Sequence, residues 1–224
     1  RDRELWMYAG VILAATVVVT ANIWGSGDPG SAHALKHEGL WPSARYAAFQ
    51  VVSVVTTTGF GTDNFELYPP LGKLVLVFLM FLGGMAGSTA GGMKMFRFLV
   101  MFKAIGQQVL QVFRPAQVQV VRINRKAMRA EVVQSILSFL LLGLVIFTLA
   151  SLYMAWLGLD VVSATTSVAA TLFNVGPGLA KVGSVENFAF IPTSGKVVLS
   201  LCMVMGRLEF YSILVLLVPA FWRE

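Results

Sequence analysis

Charge is what this chain has least of. Only 12% of its 224 residues are Asp, Glu, Lys or Arg, about half the fraction that a water-exposed globule carries. So little polar surface excludes an ordinary soluble domain. A hydrophobic content of 57% excludes disordered and collagen-like chains. A lone cysteine, Cys202, excludes a disulfide scaffold and leaves the redox compartment unstated. Nothing in the sequence assembles a nucleophile, a base and an acid, so no enzyme is expected. What remains, at a mean hydropathy of +0.75, is an integral membrane protein. Lacking a methionine at its start, the chain is expected to begin inside a larger polypeptide.

A helix needs about 20 mostly apolar residues to cross the hydrocarbon core. Leu5 to Trp24 meets that length, with Trp6, Tyr8 and Trp24 as interfacial anchors. Leu71–Gly83 is apolar but short, and breaks into GGMAGSTAGG over Gly83–Gly92 before Met93–Ile105 resumes. Val132–Leu157 and Ser194–Trp222 predict two further spans. Ser43–Thr56 and Val161–Phe173 are too short to cross and predict re-entrant helices. Lys94, Arg97, Lys103, Arg114, Arg122, Arg125, Lys126 and Arg129 share one connecting region with no acid before Glu131. Cationic loops stay in the cytoplasm, so four crossings place this connector and both termini there. Topology thus accounts for the net charge of +6, and lipid, not nucleic acid, is the partner that composition implies.

The sequence also repeats. Thr57-Thr58-Gly59-Phe60-Gly61 aligns with Asn174-Val175-Gly176-Pro177-Gly178, each after a short apolar segment. Gly72-Lys73-Leu74-Val75-Leu76 aligns with Gly195-Lys196-Val197-Val198-Leu199, and that register sets Gly83 over Gly206 and Gly84 over Arg207. Each half reads span, re-entrant helix, Gly-X-Gly loop, span, and an even number of crossings makes the halves parallel. Parallel repeats suggest rotation about the membrane normal, the arrangement that lines a central pore. The expected fold is all-α and integral to the membrane, with two parallel helix–pore loop–helix repeats forming half of a pseudo-fourfold pore. Residues 1–105 form the first repeat with its broken second helix, 106–130 the basic connector, and 131–224 the second repeat.

TTTGFGT at Thr56–Thr62, NVGPG at Asn174–Gly178, GGMAGSTAGGMK at Gly83–Lys94 and GRLE at Gly206–Glu209 together resemble the Trk/Ktr/HKT superfamily of potassium transport proteins. The resemblance covers essentially the whole chain and is nearest to the C-terminal half of a bacterial TrkH-type subunit. It implies potassium uptake across a bacterial inner membrane, with potassium as substrate and no cofactor. It further implies a homodimer of full-length subunits and a cytoplasmic nucleotide-binding regulatory subunit of the TrkA type, for which the connector is a docking surface. Of each filter loop the family keeps chiefly the first glycine, Gly59 and Gly176.

The residues suit an ion. A dehydrated potassium ion needs oxygens in place of its water shell, and rings of backbone carbonyls supply them. Glycines allow successive carbonyls to be aimed at an axis. The expected filter is therefore Thr57, Thr58, Gly59, Phe60 and Gly61 with Asn174, Val175, Gly176, Pro177 and Gly178. Potassium is expected at Thr57, Thr58, Gly59, Asn174, Val175 and Gly176, with side-chain oxygen from Thr57, Thr58 and Asn174. Alone, either Gly-X-Gly would read as a tight turn; two in matched settings read as a filter.

Gly83, Gly84, Gly87, Gly91 and Gly92, with Ser88 and Thr89, are poor filling for a continuous helix. The resemblance implies an intramembrane loop that blocks the pore and moves for conduction; a close helix crossing lined by small residues is the competing reading. It also implies that Arg207 projects beneath the filter as a barrier to cations. Glu209 is expected to pair with another helix or repeat. Asp63 and Glu66 either gather cations at the outer mouth or sit in a solvated loop. His33 and His37 lack a third metal ligand and read as loop residues. The function alternatives are an ion-coupled potassium symporter or other secondary carrier, which usually has inverted repeats, a membrane enzyme and a scaffold.

Overall fold

The computed structural model describes residues 2–24, 39–113, 121–124, 126–217 and 219–222. The expected loop histidines His33 and His37 lie outside them, as do Arg1, Arg114, Arg125 and Arg223. Among the described residues the regular elements are helices, apart from one two-stranded hairpin. The first half runs α1 (Arg3–Trp24), α2 (Leu40–Val55), α3 (Pro70–Phe81) and α4 (Met95–Phe113). Strands β1 (Arg122–Ile123) and β2 (Lys126–Ala127) pair antiparallel in the connector. The second half runs α5 (Ala130–Trp156), α6 (Val161–Leu172), α7 (Thr193–Leu208) and α8 (Phe210–Leu217).

Two of the described helices, α1 and α5, are long and apolar enough to cross a membrane unaided. Both are turned outward-apolar. Leu13, Val17, Leu141, Leu144, Leu149 and Leu152 are exposed, which water would penalise and lipid tails accommodate. The short helices lie inside. In α6 every residue from Ser163 to Leu172 except Thr165 is buried, and in α2 Ala47, Gln50, Val51 and Ser53–Val55 are buried. Each long helix packs on the short helix that follows it, α1 on α2 and α5 on α6, and α3 and α7 close against α2 and α6 in turn.

Helix starts follow local chemistry. Pro70 opens α3, where the missing donor is harmless. Asp160 caps α6, its carboxylate accepting the Ser163 N–H at 3.0 Å. Hydrogen bonds from Ser163 hold that carboxyl below its ordinary range. A depressed carboxylate stabilises the fold above the ordinary carboxylate pKa and loses that contribution as pH falls through its folded-state value. Asp160→Ala is accordingly expected to remove about 1 kcal/mol at neutral pH. The difference from wild type should shrink below about pH 4, read by thermal unfolding of the full-length protein in detergent. Asp160→Asn, which can still cap, should retain most of it.

One expected element is corrected. The continuous span over Ser194–Trp222 is two helices, because the chain turns at Glu209, whose backbone sits at φ 63, ψ 142. Two polar contacts flank the turn. Glu209 reaches Arg97 on α4 at 2.8 Å while Arg207 reaches the Thr89 carbonyl at 2.6 Å, and a straight helix cannot serve both. In the sequence register that sets Gly84 over Arg207, Glu209 falls opposite Ala86, inside the non-helical stretch that separates α3 from α4. Both late helices are thus interrupted at corresponding positions, by a long loop in one case and one left-handed residue in the other.

Candidate functional site

Helices α2 and α6 end in the same way. The residue after each C-cap, Thr57 and Asn174, is left-handed at φ 55 in both cases. Thr57 N–H donates to Val54 and Thr58 N–H to Ser53; Asn174 N–H donates to Thr171 and Val175 N–H to Ala170. This pair of reversed bonds is a Schellman ending, which satisfies carbonyls the helix would otherwise leave bare. Two residues on, Gly59 and Gly176 are again left-handed, at φ 79 and φ 107. Four corresponding positions with matched handedness make two copies of one loop.

The copies touch. A methyl group built on Gly59 falls 2.5 Å from the Val175 carbonyl oxygen, and one on Gly176 falls 3.7 Å from the Gly59 Cα. Gly61 and Gly178 pack away from this contact, Gly61 against Gln50 and Ser184, Gly178 against Thr166 and Val182. The Phe60 carbonyl accepts a 2.7 Å bond from the Ser53 hydroxyl. An open cavity of about 420 Å³ borders the second loop, lined in part by Asn174, Gly176, Lys196 and Ser200.

Against these loops lies the glycine-rich segment. It is non-helical from Leu82 to Lys94 and pinched at its neck, where Gly83 N–H donates to the Met93 carbonyl at 2.7 Å and Met95 N–H to Gly84 at 3.1 Å. Gly91 N–H donates to the Thr57 hydroxyl at 2.9 Å. A methyl on Gly91 would stand 2.7 Å from both the Asn174 Cβ and the Phe173 carbonyl oxygen. The segment therefore presses on both loops, and only glycine permits that approach. Arg207 on α7 holds it at Thr89, and Lys94, its own last residue, folds back on the Ser88 carbonyl, 2.7 Å away. Lys94 interacts electrostatically with Glu209, Arg97 and Arg207, so three cations gather about one anion.

Residues 11–223 match the family model described as "TrkH: Cation transport protein". The chain belongs to the TrkH family. It is 35% identical over its full length to the Trk system potassium uptake protein TrkH of Salmonella typhimurium, and 34% identical to that of Escherichia coli K12. The chain spans 44% of the length of each. The crystal structure of the potassium transporter TrkH from Vibrio parahaemolyticus matches 99% of the chain and 45% of its own, at a TM-score of 0.87 and 30% identity. The family that the chain belongs to is one of cation transport proteins.

In this TrkH-family chain the hydroxyls of Thr57 and Thr58 have protein partners, and Asn174 is held through its amide nitrogen. Thr57 accepts from Gly91, Thr58 pairs with Thr56 at 2.8 Å, and Asn174 donates its amide to the Met203 carbonyl at 3.2 Å. Glu66 accepts from Ala180 N–H and lies 3.8 Å from Lys73, so it ties together the stretches that follow the two Gly-X-Gly loops. The roles of Ser53, Lys94 and Glu4, which accepts the Ala86 N–H at 2.6 Å, were not readable from the sequence. Each depends on a partner that no local pattern announces.

Proposed function

We propose that this chain is half of a potassium-uptake pore. Two parallel helix–pore loop–helix repeats, residues 1–105 and 131–224, supply two of four filter loops around a pseudo-fourfold axis. Carbonyls of Thr57, Thr58 and Gly59, with those of Asn174, Val175 and Gly176, replace the water of a potassium ion; Phe60, Gly61, Pro177 and Gly178 complete the loops. The observation that carries this reading is the matched pair of loops, Thr57 with Asn174 and Gly59 with Gly176, meeting backbone to backbone. Paired turns in separate surface loops have no reason to coincide residue by residue. The C-terminal ends of α2 and α6 add partial negative charge where the cation would sit.

The segment holding Gly83, Gly84, Gly87, Ser88, Thr89, Gly91 and Gly92 obstructs the path beneath the filter, together with Arg207, and moves for conduction. The protein resides in a bacterial inner membrane with termini and residues 106–130 on the cytoplasmic side. It works as a homodimer of full-length subunits with a nucleotide-binding partner of the TrkA type at the basic connector. Potassium is the cargo, and no cofactor takes part.

Ligand binding to the folded state raises its stability, which gives a direct test. Purified full-length protein is expected to unfold at a higher temperature in potassium or rubidium than in lithium at equal ionic strength. Indifference to the cation would overturn the filter assignment.

A further inference from the structure

Glu4 stands in the first turn of α1, 82 residues from the segment it touches, and is only 6% exposed. Its Oε1 accepts the Ala86 N–H at 2.6 Å. Ala86 opens the central bend of the intramembrane loop: Ser88 N–H closes on the Met85 carbonyl at 3.0 Å, and Gly87 supplies the φ of 81 that such a turn requires at its third position. The turn leaves the Ala86 donor without a backbone partner, and Glu4 takes it. A carboxylate bonded to a backbone N–H is a charge-assisted contact, about twice as strong as a neutral one. Glu4 also sits at the positive end of the α1 dipole, where a carboxylate is favoured.

The support is itself fixed. Glu4 N–H donates to Asp2 at 3.0 Å, Arg3 N–H donates to the Asn124 side chain at 3.1 Å, and the Asn124 amide donates to Asp2 at 3.1 Å. The first turn of α1 is thus braced against the β1–β2 hairpin. On the far side of the bend, Lys94 holds Ser88 and Arg207 holds Thr89. Lys94 is the last residue of the loop itself, whereas Glu4 and Arg207 come from distant parts of the chain, and Glu4 is the anionic one among the three.

We propose that Glu4 is a positioning residue that holds the intramembrane loop across the conduction path by fixing Ala86. This rests on the reading of that loop as the obstruction. The test uses full-length protein in liposomes, with rubidium flux and hydrogen exchange of residues 83–94 measured together on Glu4→Ala, Glu4→Asp, Glu4→Gln and Arg207→Ala. Glu4→Ala is expected to speed exchange at Ala86 at least tenfold and to raise flux. Glu4→Asp, one methylene short, should act in the same direction if the alanine variant folds poorly. Glu4→Gln keeps an acceptor at the same reach and should restore most of the protection. Unchanged exchange over 84–90 in both Glu4→Ala and Glu4→Asp overturns the proposal, as does faster exchange spread evenly along α1. A rise in flux for Arg207→Ala but not for Glu4→Ala also defeats it while leaving the obstruction reading intact. No rise in either defeats that reading itself.

Discussion

Replacing Gly59 with serine in the full-length protein is expected to lower the potassium-to-sodium permeability ratio at least tenfold, a change of about 1.4 kcal/mol in the relative barriers. Two effects combine at this position. A side chain in the left-handed region costs about 1–2 kcal/mol, and the Gly59 backbone sits at φ 79. The new Cβ also arrives 2.5 Å from the Val175 carbonyl oxygen. Since both partners are backbone, neither can swing aside as a side-chain tip does. The second loop must shift, and with it an oxygen that the proposed site needs in place.

Gly176 provides the internal comparison. Its φ of 107 is no easier for serine, yet an added Cβ meets nothing nearer than the Gly59 Cα at 3.7 Å among the described residues. Gly176→Ser is therefore expected to disturb selectivity less than Gly59→Ser. Flux ratios for potassium, rubidium and sodium, normalised to protein in the membrane, decide the matter. Wild-type selectivity in both variants would remove the loops from the pathway.

How much of this was legible in the sequence depends on the range of the interaction concerned. Hydropathy separates α1 and α5 from the short α2 and α6, because crossing length and burial are properties of contiguous residues. The register of the two loops is legible too, since Gly59 and Gly176 answer a local demand for positive φ. The turn at Glu209 is not. The stretch GRLEFYS carries two charges of opposite sign, and nothing local says that one reaches α4 and the other the loop before it. Glu4 was hidden for the same reason: an acid in a first helical turn is ordinary chemistry, and its partner Ala86 offers only a backbone N–H. Packing-dictated glycines fall between these cases. Gly83–Gly92 announces irregular backbone, whereas the contact of Gly91 with Thr57 emerges only in three dimensions.

Arg207→Ala is expected to raise potassium flux at least tenfold. At an effective dielectric constant of 20, unit charges 4 Å apart interact by about 4 kcal/mol, still enough for several powers of ten in rate. Arg207 also ties the loop through its 2.6 Å bond to the Thr89 carbonyl, so the alanine variant removes a charge and a tether at once. Arg207→Gln separates them, keeping a neutral donor for Thr89 while discarding the charge. The local balance favours the electrostatic account. Glu209 is engaged with Arg97, which leaves Arg207 and Lys94 as cationic charge on the loop. If that charge is the barrier, the glutamine variant conducts as the alanine variant does, and Arg207→Lys stays near the wild-type level. If the tether is what matters, glutamine stays low and the charge is incidental. Unaltered flux in the alanine variant, at normal abundance, would place Arg207 outside the pathway altogether.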